Sequence, residues 1–254
     1  ESFGSVLNPN VIQVSGSLRS QCNASLYKQY FLNYLSGTVR QHAPYILFCS
    51  SLGPNNLFAG KTDNQIIEHL INDGVRQDHA ALLTAQYRYH STMYERFATF
   101  LAKTKYLAKN SLDLVIRPHP SDDLDSLLNL FSSTKGVKLI GEGPVKPWIL
   151  GSEATISSSS TTLAEAALLG VPAFSLLPGF PDADHGLIKF LREHPINNCC
   201  KQLHDLKDLD SIFEGAGRKF SASQVKGYKA SARDLLGARD EKHLHALKKV
   251  ISQN

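Results

Sequence analysis

The segment from residue 154 to residue 177 constrains the fold most, because it reads as strand, polar turn, helix and strand in immediate succession. A short apolar strand at 154–156 runs into six consecutive hydroxyl residues, and a helix with three alanines follows at 163–169. Gly170 stands where a helix commonly ends in a left-handed residue, and a second apolar strand follows at 173–177. A strand–helix–strand unit of this kind predicts a parallel sheet.

The hydroxyl residues lie at the predicted N-terminus of the helix, and they are Ser157, Ser158, Ser159, Ser160, Thr161 and Thr162. Unpaired backbone N–H groups and the positive end of the helix dipole make such a position an anion site. An ordinary N-cap uses one hydroxyl, so capping explains only part of the run. A flexible serine linker is excluded by the apolar strand and helix on either side. We therefore expect this block to hold the phosphate of a nucleotide.

The rest of the chain continues the alternation. Further strands are predicted at 11–16, 45–49, 112–116 and 137–140, and helices at 24–35, 63–73, 83–108, 121–131, 147–150, 186–192, 206–214, 222–236 and 241–251. This order predicts an α/β fold: a Rossmann-like open parallel sheet with helices on both faces. Residues 1–200 are expected to form this nucleotide-binding domain, and residues 201–254 to form C-terminal helices packed on it.

Ligands of such a sheet bind beyond the carboxyl ends of the strands, where three loops are predicted, at 50–56, 117–120 and 157–162. The second reads Arg117-Pro118-His119-Pro120. The prolines restrict the backbone and so present His119, whose imidazole can protonate or hydrogen-bond a leaving phosphate. Arg117 suits a phosphate oxygen, or equally a structural role at the sheet edge.

Other polar residues at this edge have two readings. Asp184 and His185 follow the strand at 173–177 and either touch a substrate or are ordinary loop polarity. Glu165, on the helix after the hydroxyl block, either accepts hydrogen bonds from ribose hydroxyls or makes a structural hydrogen bond.

Composition and motifs exclude several classes of protein. Hydrophobic content of 42% and charged content of 20% are those of a globular protein, and no run is long enough to span a bilayer. Gly53 and Gly60-Lys61-Thr62 imitate a phosphate-binding loop, but six residues separate the glycines where the motif needs four. The glycines of a serine-hydrolase turn are missing around Ser157–Ser160, and the histidines have no metal-ligand spacing.

Charge and cysteine content favour a cytoplasmic protein that does not bind nucleic acid. The four cysteines lack C-x-x-C spacing and suit reduced thiols. The net charge is +4, and the basic residues are dispersed except for a cluster at 242–249. That cluster predicts a solvated helix face or, as the alternative, a contact with acidic polysaccharide or with anionic lipid at the inner face of the cytoplasmic membrane.

Taken together, these motifs resemble the C-terminal, donor-binding half of GT-B glycosyltransferases. The hydroxyl block with Glu165-Ala166 and Gly170-Val171-Pro172 is similar to the signature of that superfamily. With the His-Pro motif at 115–120, it resembles the motifs of bacterial enzymes that use cytidine-activated donors, above all the β-Kdo transferases and related surface carbohydrate biosynthesis proteins. Segments at 14–19, 45–48 with Asn55-Asn56, and 145–149 add to the likeness.

The resemblance implies specific roles. His119 and Ser158–Thr161 would contact the donor phosphate, Glu165 the ribose, and the backbone of Gly141, Glu142 and Gly143 the base, with Asn55 and Asn56 in a substrate loop. It implies a nucleotide-sugar donor, a glycan or glycolipid acceptor, and no cofactor or bound metal. It also implies an N-terminal acceptor domain, carrying the catalytic base, that this sequence almost entirely lacks.

The resemblance leaves three activities open, besides a bare nucleotide-binding module that transfers nothing. The first is transfer of a sugar, Kdo or a related acid, from a CMP-linked donor to a surface polysaccharide. The second is glycerophosphate transfer from CDP-glycerol, and the third is epimerisation of a UDP-sugar by an enzyme of GT-B-like fold.

Overall fold

The structure is a computed structural model, and it describes residues 39–51, 58, 60–109, 112–120, 122–132, 134–181 and 183–236. Outside these ranges lie the strand predicted at 11–16, the helices predicted at 24–35 and 241–251, and the basic cluster at 242–249. Asn55 and Asn56 of the predicted substrate loop also lie outside the described residues.

Six parallel strands form one sheet: β1 (Tyr45–Cys49), β2 (Asp113–Arg117), β3 (Val137–Leu139), β4 (Ala154–Ser157), β5 (Ala173–Leu176) and β6 (Lys201–Leu203). Their order across the sheet is β3-β2-β1-β4-β5-β6. In register, Leu47 of β1 lies opposite Val115 of β2 on one side and Thr155 of β4 on the other. The chain therefore builds the sheet outward in two directions from the β1–β4 pair, which makes that pair the topological switch point.

Helices connect the strands and follow them. They are α1 (Asp63–Asn72), α2 (Gln77–Lys103), α3 (Tyr106–Lys109), α4 (Leu124–Phe131), α5 (Val145–Gly151), α6 (Thr161–Leu169), α7 (His185–Arg192), α8 (Asp208–Glu214) and α9 (Ala222–Leu236). Short 3-10 turns occur at Arg40–His42, Pro195–Cys199 and Ala216–Arg218. Within the described ranges, every helix is too short or too polar to span a lipid bilayer.

The side chains of β1 divide the interior into two cores. Ile46 and Phe48 join the core that includes Phe97 of α2, whereas Leu47 packs with Trp148 of α5 and Leu163 of α6. Because alternate residues of a strand point to opposite faces, a strand that is fully buried must be covered on both sides. The predicted Rossmann-like parallel sheet with helices on both faces is confirmed.

Small side chains let α6 lie close to the sheet. Ala173 of β5 packs with Leu163 and Ala166 of α6, and on the same face β4 carries Thr155, in register with Ala173. The outer side of α6 is covered by α9, where Ala232 joins the buried cluster. As predicted, α6 ends at Gly170, whose φ is 79°.

Two of the predicted helices differ from the observed ones by three residues or more at one end. The helix predicted at 83–108 is α2 and α3, because Thr104 has an extended backbone (ψ 141°) and ends α2. Its first turn, from Gln77, is largely polar, so the apolar periodicity does not mark it. The helix predicted from residue 121 starts at Leu124, because the Asp123 carboxylate caps it by accepting from the Asp125 N–H at 3.2 Å.

The edge strand β6 was not predicted. Only one of its three residues, Leu203, is buried, so its sequence carries no apolar run. It pairs with β5, where Phe174 lies opposite Lys201, and this pairing is a tertiary contact that local sequence does not encode.

Candidate functional site

A wide cleft opens at the carboxyl edge of the sheet, beside the switch point. It has a volume of about 810 Å³, which lies in the range of small-molecule sites. Four segments line it, one at the end of each of the strands β1, β2, β3 and β4. In that order they are Cys49 and Ser50; Arg117 to Pro120 with Asp122 and Leu124; Gly141 to Gly143 with Val145; and Ser160 to Thr162. We call this space the main cleft. The folding of the chain thus brings together most of the residues singled out from the sequence.

The N-terminus of α6 forms one side of the main cleft. Ser160 is the N-cap, and its hydroxyl accepts a hydrogen bond from the Thr162 N–H at 3.3 Å. Thr161 is exposed, whereas Thr162 is buried. The first turn of a helix carries N–H groups without intrahelical acceptors and the positive end of the dipole. This side of the cleft is therefore suited to an anion.

The first half of the hydroxyl block faces the protein interior instead. Ser157 and Ser158 have no exposed surface. The Ser157 hydroxyl donates to the Cys49 carbonyl at 2.8 Å, and the Ser158 hydroxyl is hydrogen-bonded to that of Ser51. These contacts fasten the end of β4 to the end of β1. Neither residue lines the main cleft, nor does the half-buried Ser159.

His119 is exposed on the opposite loop of the main cleft. Its backbone N–H donates to the Asp122 carboxylate at 2.8 Å, and its carbonyl accepts from the Asp122 N–H at 2.9 Å. These two bonds close a tight turn, and Pro118 and Pro120 restrict it further. The turn holds the backbone of His119 in place, and His119 lines the main cleft.

Arg117 is only 7% exposed, and its guanidinium donates to the protein backbone. Nη2 donates to the Gly143 carbonyl at 2.6 Å, and Nη1 donates to the Glu142 carbonyl. The guanidinium carbon also lies 5.5 Å from the centre of the Trp148 ring, within cation–π range. Of the two roles open at the sequence level, this geometry favours the structural one.

Glu165 lies inside the protein. It has no exposed surface and does not line the main cleft. It is close enough to Cys49 for its charge to act on that thiol. Burial raises the pKa of Cys49 to about 12, against the smaller opposing effects of the Thr162 hydroxyl and the Arg117 charge. Cys49 is therefore a neutral thiol at the floor of the cleft, and it is not an activated nucleophile.

Asp184 and His185 lie away from the main cleft. The Asp184 carboxylate caps α7 by accepting from the Gly186 N–H at 2.7 Å and the Leu187 N–H at 3.1 Å. His185 lines a smaller cleft of about 340 Å³ at the ends of β5 and β6, together with Lys189 and His204. The structure thus separates these two residues from His119 and the N-terminus of α6.

Tyr94 of α2 supports the cleft and was not singled out as a site residue. Its hydroxyl accepts from the Ser51 N–H at 2.8 Å and donates to the Ser50 hydroxyl at 3.2 Å. Burial raises the pKa of Tyr94 to about 12, so the phenol stays protonated. In sequence, Tyr94 is one member of an apolar helix face, and nothing there distinguishes it from a core residue.

The described ranges contain no group of three or more His, Cys, Asp and Glu side chains placed to hold a metal ion. The expectation that the chemistry needs no metal remains a prediction.

No protein-family model and no curated protein matches the chain. Solved structures do match. The UDP-GlcNAc 2-epimerase of Methanocaldococcus jannaschii is 12% identical, with a TM-score of 0.43, over 91% of this chain and 57% of that one. The UDP-GlcNAc 2-epimerase of Neisseria meningitidis, bound to UDP-GlcNAc, is 13% identical, with a TM-score of 0.37, over 92% and 56%.

A third similar structure is WaaG, a glycosyltransferase involved in lipopolysaccharide biosynthesis. It is 11% identical, with a TM-score of 0.41, over 92% of this chain and 54% of that one. This chain therefore spans somewhat more than half the length of each of these proteins. The likeness is one of fold.

Proposed function

We propose that this chain is the donor-binding part of a glycosyltransferase, and that the main cleft holds the nucleotide of a sugar donor. The observation that carries the proposal is the meeting of His119 and the N-terminus of α6 in one cleft beside the switch point. Open parallel sheets bind nucleotides at this position. An imidazole and a helix N-terminus are both suited to phosphate oxygens.

The proposed reaction breaks the bond between the anomeric carbon of the sugar and a phosphate oxygen. The electron pair of that bond stays on the phosphate. The acceptor hydroxyl attacks the carbon and passes its proton to a general base, which the resemblance places in the N-terminal acceptor domain. Negative charge therefore grows on the leaving phosphate in the transition state. His119 would donate a hydrogen bond or a proton to it, and the α6 dipole with the Thr161 hydroxyl would stabilise it electrostatically.

The donor we propose is CMP-linked, with Kdo or a related acid as the sugar and a surface glycan or glycolipid as the acceptor. This choice follows the likeness of the His-Pro and serine motifs to enzymes that use cytidine-activated donors. Within the hydroxyl block, we assign the ligand contacts to Ser160, Thr161 and Thr162, since these residues line the main cleft. Ser157 and Ser158 are assigned to the support of that edge, because their hydroxyls bond within the protein.

Calorimetric titration with CMP, CDP, UDP and GDP tests the proposal. We expect saturable binding with a preference for a cytidine nucleotide, and absence of binding to all four would refute it. Uridine preference together with isomerisation of a UDP-sugar in the absence of acceptor would identify an epimerase. Product analysis with CMP-sugar and CDP-glycerol distinguishes sugar transfer from glycerophosphate transfer.

Replacement of the histidine tests its contact with the phosphate. A hydrogen bond to a charged group contributes about 1.5–3 kcal/mol, so His119→Ala is expected to weaken nucleotide binding by about tenfold to a hundredfold. The matched control is His204→Ala, since His204 is also exposed at this edge of the sheet but lines the smaller cleft. Equal affinities in the two variants would remove His119 from the site.

A further inference from the structure

We infer that Arg117 is a positioning residue that sets the base selectivity of the main cleft by holding the loop Gly141–Gly143 in one orientation. The inference rests on the proposed function, since it concerns how the same cleft recognises the base of its nucleotide. It assigns no substrate contact to the guanidinium itself.

Arg117 joins three sides of the main cleft. Its carbonyl accepts from the Ser50 N–H at 2.8 Å, which fixes the loop after β1. Its guanidinium donates to the carbonyls of Glu142 and Gly143, which fixes the loop after β3. The planar fork of an arginine offers two parallel donors in a rigid geometry, which a lysine ammonium does not reproduce. Loss of this one side chain is therefore expected to free the 141–143 loop.

The direction of these hydrogen bonds determines what the loop presents to a ligand. The Glu142–Gly143 peptide is trans, so its N–H points opposite to its carbonyl. That carbonyl accepts from Arg117, so the Gly143 N–H points away from the guanidinium, on a residue that is itself exposed. Among the described residues it has no acceptor.

The loop lines the main cleft and keeps one backbone donor unpaired among the described residues, while two of its acceptors are already used. The Gly143 carbonyl is occupied like that of Glu142, and the next residue, Pro144, has no N–H to offer. Such a loop recognises a base edge that carries a hydrogen-bond acceptor, such as the carbonyl oxygen of a pyrimidine. Gly143 adopts this conformation readily, because its φ is +76°.

The test compares whole nucleotides with a probe that lacks the base. CMP, UDP, GDP and ribose 5-phosphate are titrated into the unmodified chain, Arg117→Gln and Arg117→Lys. In the unmodified chain, we expect the preferred nucleotide to bind about tenfold or more tightly than ribose 5-phosphate, the size of effect that one or two base hydrogen bonds produce. In both Arg117 variants, the ratio of nucleotide affinity to ribose 5-phosphate affinity should fall toward one. The affinity for ribose 5-phosphate itself should stay within about threefold of its value in the unmodified chain.

The matched control is Arg192→Gln. Arg192 also donates from its guanidinium to a carbonyl at a strand end, that of Leu177, at 2.7 and 3.1 Å. It lies outside the main cleft, so this substitution should leave the ratio unchanged. Hydrogen exchange gives a second measurement: the Gly143 amide should be protected by CMP and left unprotected by ribose 5-phosphate.

The outcomes distinguish failure of the proposed function from failure of the inference about Arg117. If the unmodified chain binds none of the four compounds, both the proposed function and the inference about Arg117 are refuted. If nucleotide preference survives in both Arg117 variants, only the inference about Arg117 fails. A parallel loss of affinity for nucleotides and ribose 5-phosphate would give Arg117 a general structural role and would also overturn the inference. Should Arg117→Gln not fold, Arg117→Lys and the exchange measurement decide.

Discussion

Mild acid is expected to destabilise the protein through His90, which lies in the middle of α2. The side chain is 5% exposed, and its Nε2 has no hydrogen-bond partner among the described residues. Burial lowers the pKa of His90 from 6.5 to about 4, because an imidazolium in this place would lose its hydration. The folded protein therefore keeps the ring neutral at a pH where the unfolded chain protonates it.

The pH window and the size of the effect follow from these two values. Between pH 6.5 and about 4, the unfolded chain binds more protons than the folded protein, so the free energy of unfolding falls as the pH falls. Well above pH 6.5 the imidazole is neutral in both states, and well below pH 4 it is protonated in both, so His90 adds no further slope in either range. The pKa difference between the two states lowers the free energy of unfolding by about 3 kcal/mol in total, and about 2 kcal/mol of this loss has occurred by pH 5.

Urea unfolding at pH 8, 6, 5 and 4.5 measures this loss, with His90→Gln as the comparison. Glutamine is neutral at every pH, so the difference between the two proteins removes the contribution of carboxylates such as Asp210, whose pKa is raised by burial. Between pH 8 and pH 5, we expect the unmodified protein to lose about 2 kcal/mol more free energy of unfolding than His90→Gln loses. Parallel curves for the two proteins would refute the reasoning, because another group would then carry the acid sensitivity.

Two further substitutions test the support of the cleft and the end of α6. Tyr94→Phe removes the phenol that accepts from the Ser51 N–H, and we expect it to lower the free energy of unfolding by about 1–2 kcal/mol in urea. An unchanged stability would show that the bond is dispensable. Gly170→Ala should cost about 1 kcal/mol from backbone strain alone, since φ is +79° and an added Cβ meets no atom within 4 Å. Gly227→Ala, inside α9 and equally open, should instead raise stability by about 0.5–1 kcal/mol, and the same sign in both alanine variants would contradict this account.

The central strands and the helix after the hydroxyl block were predictable because local sequence determines them. A continuous apolar run such as that of β1 is typical of a strand buried on both faces. Gly170 predicted the end of α6 because few other residues adopt its positive φ. In contrast, β6 depends on pairing with β5 rather than on its own side chains, and it was missed.

The candidate site was predictable only to the level of loops. The ends of β2 and β4 were expected at one edge, and His119 and the start of α6 do meet there. The roles within each loop depend on contacts between distant segments. In sequence, Arg117 suits a phosphate ligand and a structural residue equally, and only the pairing of β2 with β3 brings the Glu142 and Gly143 carbonyls to its guanidinium.

The hydroxyl block has a buried half that supports the strand ends and, in the proposed function, a second half that contacts the phosphate; this division would explain its length. Ser158 is bonded on one side to Ser51 after β1, and its carbonyl accepts on the other side from the Ser175 hydroxyl of β5 at 3.2 Å. The start of α6 is thereby held between two neighbouring strands before any ligand arrives. Donors that are fixed in advance stabilise a growing charge without the cost of reorganisation. A single capping serine would leave that turn tied at one point, so the buried serines are expected to contribute to phosphate binding without touching the phosphate.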